Sequence, residues 1–181
     1  MGRVLLTSLL ALVLPLVVFL AGAGAMQKLS GRTAGNDAGK PLNQRWGYSV
    51  DDVASCWSSL GDAGLRAERR FLELDLIFPF AYGGALLAAS LLVWSRLGRP
   101  ISAAWLVAVV ALTLGADWTE NLVHLRELER FVTNGASALE PRWIAIASAA
   151  TITKLVGFGA SVLALLALLV MLGNDVARGP S

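Results

Sequence analysis

The sequence predicts an all-α protein: an antiparallel four-helix transmembrane bundle with a short amphipathic helix in the long first outer loop. Three observations carry this. Of the 181 residues, 56% are hydrophobic and 15% charged, against roughly 25% charged in average soluble domains. The apolar residues fall in four long runs, and mean hydropathy over the chain is +0.64. The tryptophans sit near the ends of those runs, where membrane–water interfaces attract them. The length suits one domain. A net charge of +2, dispersed along the chain, does not point to nucleic acid. The single cysteine, Cys56, forms no intrachain disulfide and makes no cysteine-based metal finger.

The first run covers residues 4–24. Its roughly 20 residues match a hydrocarbon core of about 30 Å at 1.5 Å per residue. Arg3 precedes it, and Ala21, Ala23 and Ala25 follow the small-residue pattern of a signal-peptide cleavage site. The run exceeds the usual signal-peptide core, so a retained helix is expected. Residues 25–70 form the long outer loop. Gly, Asn, Lys and Pro dominate its first part, an irregular composition. Within it, Ser49 followed by Asp52 is a capping signature. Val50, Val53, Ala54, Trp57 and Leu60 recur at helical spacing, which predicts a short amphipathic helix over 49–60. Trp46, Tyr48 and Trp57 suit an interface, and the helix is expected to pack as a cap on the top of the bundle rather than serve as a substrate lid. Gly61 and Gly64 are expected to end the helix.

The second span is expected over 71–94, the third over 101–122 and the fourth over 143–172. A tight SRLGRP turn joins the second and third, with Pro100 fitting a helix start. The third continues as a polar helix through HLRELERF, and Asn134, Gly135 and Pro141 mark the next loop. Arg3, Arg96, Arg99 and Arg178 fall on one side, nearly free of acids. Lys/Arg bias in short loops sets orientation, so both termini and the 95–100 turn are placed in the cytoplasm, across an inner (plasma) membrane.

Ionisable residues inside spans are costly and persist when paired or lining a cavity. Asp75, Pro79 and Tyr82 share a helical spacing in span two. Asp117, Glu120, Asn121 and His124 do so in span three, and Thr151, Lys154, Phe158 and Ser161 in span four. Counted from the cytoplasmic ends at 1.5 Å per residue, Asp75, Asp117 and Lys154 lie at ~30, ~24 and ~27 Å. They form one layer near the outer interface, which Ala21–Gly24 of span one meets with small residues. Lys154 is expected to neutralise Asp75, Asp117 or Glu120. The candidate functional residues are therefore Asp75, Tyr82, Asp117, Glu120, Asn121 and Lys154, with no catalytic role assigned.

Two readings follow. In the first, the layer is a structural ion-pair network in a membrane interaction or accessory protein. In the alternative, it serves a membrane enzyme acting on a lipid-like substrate, or a small proton- or ion-coupled transporter. A metal site from Asp117, Glu120 and His124 is disfavoured by the nearby Lys154, and the lone His124 reads as interfacial. No cofactor is expected, since no GxGxxG, P-loop, HExxH, CxxC or nucleophile-elbow pattern occurs. The lipid bilayer is the expected partner. A lipid-like or small-molecule ligand, a homo-oligomer and a membrane partner protein stay open.

The segment YSVDDVASCWSSLGDAGLRAERRFLELDLIFPFAY, then DWTEN, then TKLVGFGAS, resembles a family of uncharacterised bacterial four-span membrane proteins over about residues 46–172. The marks are Asp75 with Pro79, Asp117 with Glu120 and Asn121, and Lys154. The resemblance implies four spans and the polar layer, and implies no activity. A looser likeness to four-helix sterol-isomerase-type membrane domains is architectural, and no residue is carried over from it.

Overall fold

A computed structural model describes residues 2–31, 41–98 and 102–178. Among these residues every regular element is helical. Helix α1 spans Gly2–Ser30, α2 Val50–Ser58, α3 Gly61–Leu74, α4 Phe78–Arg96, α5 Ala103–Asn134 and α6 Pro141–Arg178, with short 3₁₀ turns at Leu42–Gln44 and Ala136–Ala138. Four stretches are long and apolar enough to cross a membrane: Ser8–Ser30, Gly61–Arg96, Ala103–Asn134 and Pro141–Asp175.

Several boundaries differ from the sequence expectation. Helix α1 runs on to Ser30, past the expected end at 24, because residues 25–30 contain no strong breaker. Most of the described residues of the expected outer loop, 25–70, are helical. The glycines thought to end the amphipathic helix do so only in part: Gly61, with φ of 59°, turns the chain, and α3 starts there and continues through Gly64. The fourth helix extends to Arg178 rather than ending at 172. Residues 32–40, Arg99 and Pro100, and the side chains of Arg3 and Arg178, lie outside the described residues.

The expected second span is two helices. Pro79 has no N–H and its ring excludes the carbonyl four residues back, that of Asp75. The chain accordingly leaves α3 at Asp75, turns through Ile77, and restarts as α4 with Pro79 in its first turn.

Helices α5 and α6 share the most extensive interface, and α4 lies against both, while α1 rests mainly on α4 and α3. A Cβ on Gly157 would collide with the Thr113 side chain, and one on Gly22 with the Phe78 ring. Small residues at these two positions let α6 approach α5, and α1 approach α4. Two apolar cores result. One contains Leu86, Ala89, Val93, Leu106, Leu165, Leu168 and Leu172. The other gathers Leu72, Val123, Leu128, Ile144 and Ala147 under Leu42, Val53, Cys56 and Trp57. Thus Trp57 and Tyr48, expected at an interface, are buried, and only Trp46 of that group is exposed. The α2 segment is amphipathic, and its apolar face has found a protein surface to cover.

Candidate polar layer

Between the two cores α5 and α6 meet through charge. Asp117, Glu120 and Lys154 are buried, although each charged group taken out of water needs a partner. The Lys154 ammonium lies 3.1 Å from Asp117 Oδ1 and also contacts Glu120 Oε2. The second Asp117 oxygen, Oδ2, accepts a hydrogen bond from the Tyr82 hydroxyl at 2.7 Å. Asp117 is therefore held from α4 and α6 at once. Three-residue spacing on α5 places Glu120 beside Asp117 on one face, so one ammonium serves both. Asp75 is buried in the same layer, but the described ion pairs of Lys154 are with Asp117 and Glu120.

Asn121 completes the layer differently from its neighbours. The Pro79 break frees the Asp75 carbonyl, and Asn121 Nδ2 donates to that oxygen at 3.1 Å. The same nitrogen donates to Asp117 Oδ1 at 3.3 Å. The next freed carbonyl, of Leu76, accepts from Trp118 Nε1 at 2.9 Å. A backbone break at membrane depth is tolerated where side chains re-satisfy the freed groups. The DWTEN stretch thus supplies two charges to Lys154 and two donors to the broken helix.

Toward α2 the polar contacts continue. The Thr151 hydroxyl, on α6, donates to the Ala147 carbonyl at 3.0 Å and lies 3.1 Å from the Tyr48 hydroxyl. That hydroxyl shares a 2.8 Å hydrogen bond with His124 Nε2. The Tyr48 backbone N–H is fixed by Ser148 Oγ at 2.9 Å. Burial pushes the Tyr48 phenol well above its ordinary pKa, and the charge on Glu120 adds to that, so Tyr48 keeps its proton. His124 is correspondingly buried, not interfacial. On the other side, Phe19, Phe78, Tyr82 and Phe158 form a cluster of rings with centroids 5.2–5.9 Å apart, which closes the layer below.

The structure therefore brings Tyr82, Asp117, Glu120, Asn121 and Lys154 into direct or shared contact. Asp75 joins through its carbonyl and through its carboxyl, which the Asn121 amide reaches. Tyr48 and Trp118 are the members that sequence spacing did not place there, whereas Thr151 lies on the stripe that spacing gave to Lys154. Tyr48 lies 76 residues from His124, with no periodicity linking them. Trp118 resembled a belt tryptophan. The signal for it was Pro79, since a proline inside an apolar run obliges some donor to answer the freed carbonyls.

Beyond the layer, Glu127 is buried and meets Arg126 at 3.1 Å, and it accepts from the Glu140 N–H at 2.8 Å. Arg126 also covers the Trp143 ring at 4.6 Å. These contacts clamp the α5–α6 connection. Among the described residues, no group of three or more His, Cys, Asp and Glu side chains is arranged to hold a metal ion.

Fold and site together define an all-helical chain with four membrane-length helices and a buried ion-pair layer. No family model, no curated protein and no solved structure matches the chain, so its function is read from its own geometry.

Proposed function

We propose that the chain is an antiparallel four-helix protein of the bacterial inner membrane, with both termini cytoplasmic. In this reading it belongs with the four-span membrane proteins it resembles and acts as an interaction or accessory protein. The polar layer is its register lock. The observation that carries this is Lys154 bridging Asp117 and Glu120 inside the core. One ammonium ties both carboxylates of α5 to α6, an arrangement compatible with only one vertical alignment of the two helices. Removing one partner of such a group typically costs about 3–5 kcal/mol, while replacing the whole group with apolar or neutral residues is often neutral. The test is the thermal stability of detergent-purified protein. Lys154→Met alone should unfold the protein or lower its Tm markedly. Lys154→Met combined with Asp117→Asn and Glu120→Gln should recover much of the loss. An unchanged Tm in the single variant would sink the structural reading.

A second reading has its own observation. Three carboxylates, those of Asp75, Asp117 and Glu120, face one ammonium, and Lys154 pairs with only two of them. This excess of acid favours a proton- or ion-coupled transporter, or an enzyme on a lipid-like substrate with a carboxyl as acid or base.

A further inference from the structure

On the α2 side of the polar layer, α3 and α5 enclose a cleft of about 290 Å³. Its floor is apolar, from Leu65 of α3 and Leu125 and Leu128 of α5. Its rims are charged. Helical spacing sets Asp62, Arg66 and Arg69 on one stripe of α3, and Leu125, Glu129 and Val132 on one stripe of α5. The two helices run antiparallel, and the Asn121 side chain meets the Asp75 carbonyl. Counting outward from that contact at 1.5 Å per residue puts Leu125 and Arg69 ~6–9 Å above it, and Arg66 level with Glu129 at ~12–14 Å. Arg66 and Glu129 are both exposed on the cleft. They do not pair with each other, and among the described residues neither makes any other ion pair. Arg69 is shared with Glu73 at 3.1 Å. Toward the layer, the α5 stripe continues as Leu122, 56% exposed, and then Trp118, whose ring lies beside the exposed Phe80. A charged cleft thus stands directly over an outward-facing apolar strip.

We propose that this cleft binds one zwitterionic phospholipid. Its phosphate sits between Arg66 and Arg69, its ammonium reaches Glu129, and an acyl chain follows Leu122 and Trp118. Guanidinium groups match phosphate oxygens in geometry as well as charge. The uncommitted carboxylate across the cleft calls for a cation at a fixed distance from that phosphate. A wholly basic cleft would select anionic lipids, whereas Asp62 and Glu129 oppose a second negative charge and favour a headgroup carrying both signs. Depth agrees with this order. Asp117 lies ~24 Å above the opposite end of its span, so a hydrocarbon core of about 30 Å ends near the level of Asn121. The next ~5–8 Å are headgroup region, where Leu125 and Arg69 stand, and Glu129 lies just beyond. The site presupposes that the helices cross a membrane, as in the proposed function, and it holds for either orientation.

The experiment is native mass spectrometry of the full chain in detergent, titrated with phosphatidylethanolamine and, separately, with phosphatidylglycerol. One phosphatidylethanolamine per chain is expected, bound several-fold more tightly than phosphatidylglycerol. Arg66→Gln combined with Arg69→Gln should weaken that binding tenfold or more, and Glu129→Gln should abolish the preference. Equal or tighter binding of phosphatidylglycerol to the wild type overturns the proposal, as does binding that the arginine pair leaves unchanged. Should the arginine double variant fail to fold, Glu129→Gln decides, and a preference that survives it overturns the site. Phosphoethanolamine alone binding as tightly as the lipid would assign the cleft to a soluble phosphoester. A chain dimer that the arginine changes dissolve would put a second copy there. Either result overturns the lipid. Release of the chain from membranes by alkaline carbonate would defeat the membrane reading and the site with it. A chain that resists carbonate and carries no lipid defeats the site alone.

Discussion

Pro79 shows how much one residue can demand. By removing a donor and excluding a carbonyl it splits α3 from α4, and two side chains of α5 are then committed to the open end. Trp118 answers Leu76 with its single N–H. Trp118→Phe keeps an aromatic ring beside Phe80, whose centroid lies 4.6 Å from the indole, and removes the donor together with part of the indole. An orphaned buried carbonyl costs about 1–3 kcal/mol, so the variant should unfold at lower temperature than wild type by a corresponding amount. Equal stability would mean that water, or a rewound helix, satisfies Leu76. Gly157 makes a complementary demand of α6. Its missing side chain is the space that the Thr113 side chain occupies.

Among the elements, α2 is the one whose local signals are complete. Ser49 accepts from the Asp52 N–H, and the Asp52 carboxylate accepts in turn from the Ser49 N–H at 2.7 Å. Asp51 and Asp52 sit in the first turn, where the helix dipole favours acids. Ser49→Ala should destabilise α2 by about 1 kcal/mol, visible as faster amide exchange over residues 50–58 with the layer unaffected. The Ser49 hydrogen bonds hold the Asp52 carboxyl below the usual carboxylate range. A group with a depressed folded pKa contributes stability above its unfolded value, near 3.9, and loses it as pH falls through the folded value. Acid should therefore fray α2 first below about pH 4, and Asp52→Asn should remove that pH dependence. The effect is small, since Asp52 is largely exposed and screened by solvent. Helix α3 is the contrasting element. Its composition looks like loop or span edge, yet it is helical where it packs between α1 and α5, with Leu72 in the core beside Val123 and Leu128 of α5.

Across the whole molecule, the layer lies between two apolar cores, one built from the lipid-length parts of α4, α5 and α6 and one roofed by α2. Large apolar residues such as Leu112, Val156, Leu163 and Val170 point outward from the long helices, as expected where lipid is the solvent. Orientation is the property to measure at this scale. In a Cys56→Ala background, Ser137→Cys and Ser95→Cys place single thiols in the α5–α6 connection and at the end of α4, both exposed. A membrane-impermeant maleimide applied to intact cells should label position 137 and spare position 95. The reverse pattern would put the termini outside.

Composition and periodicity alone carried the all-helical class, the four apolar stretches, the cap at Ser49 and the co-location of Asp117, Glu120 and Lys154. Each of these is local: hydrophobic run length, a three-residue spacing, or rise per residue along a helix of known start. The tertiary structure alone decided which partners Lys154 takes, that Asp75 stands outside that pair, and that Tyr48, His124 and Trp57 are buried. Those outcomes depend on contacts between residues far apart in sequence. A side chain such as Trp57 suits a membrane interface and a protein core equally well until a neighbouring surface claims it. The break at Asp75 was legible in principle, because Pro79 announces it. The donors that answer it were not, because only the packing of α5 against the break selects Trp118 and Asn121 from among the polar residues of the chain.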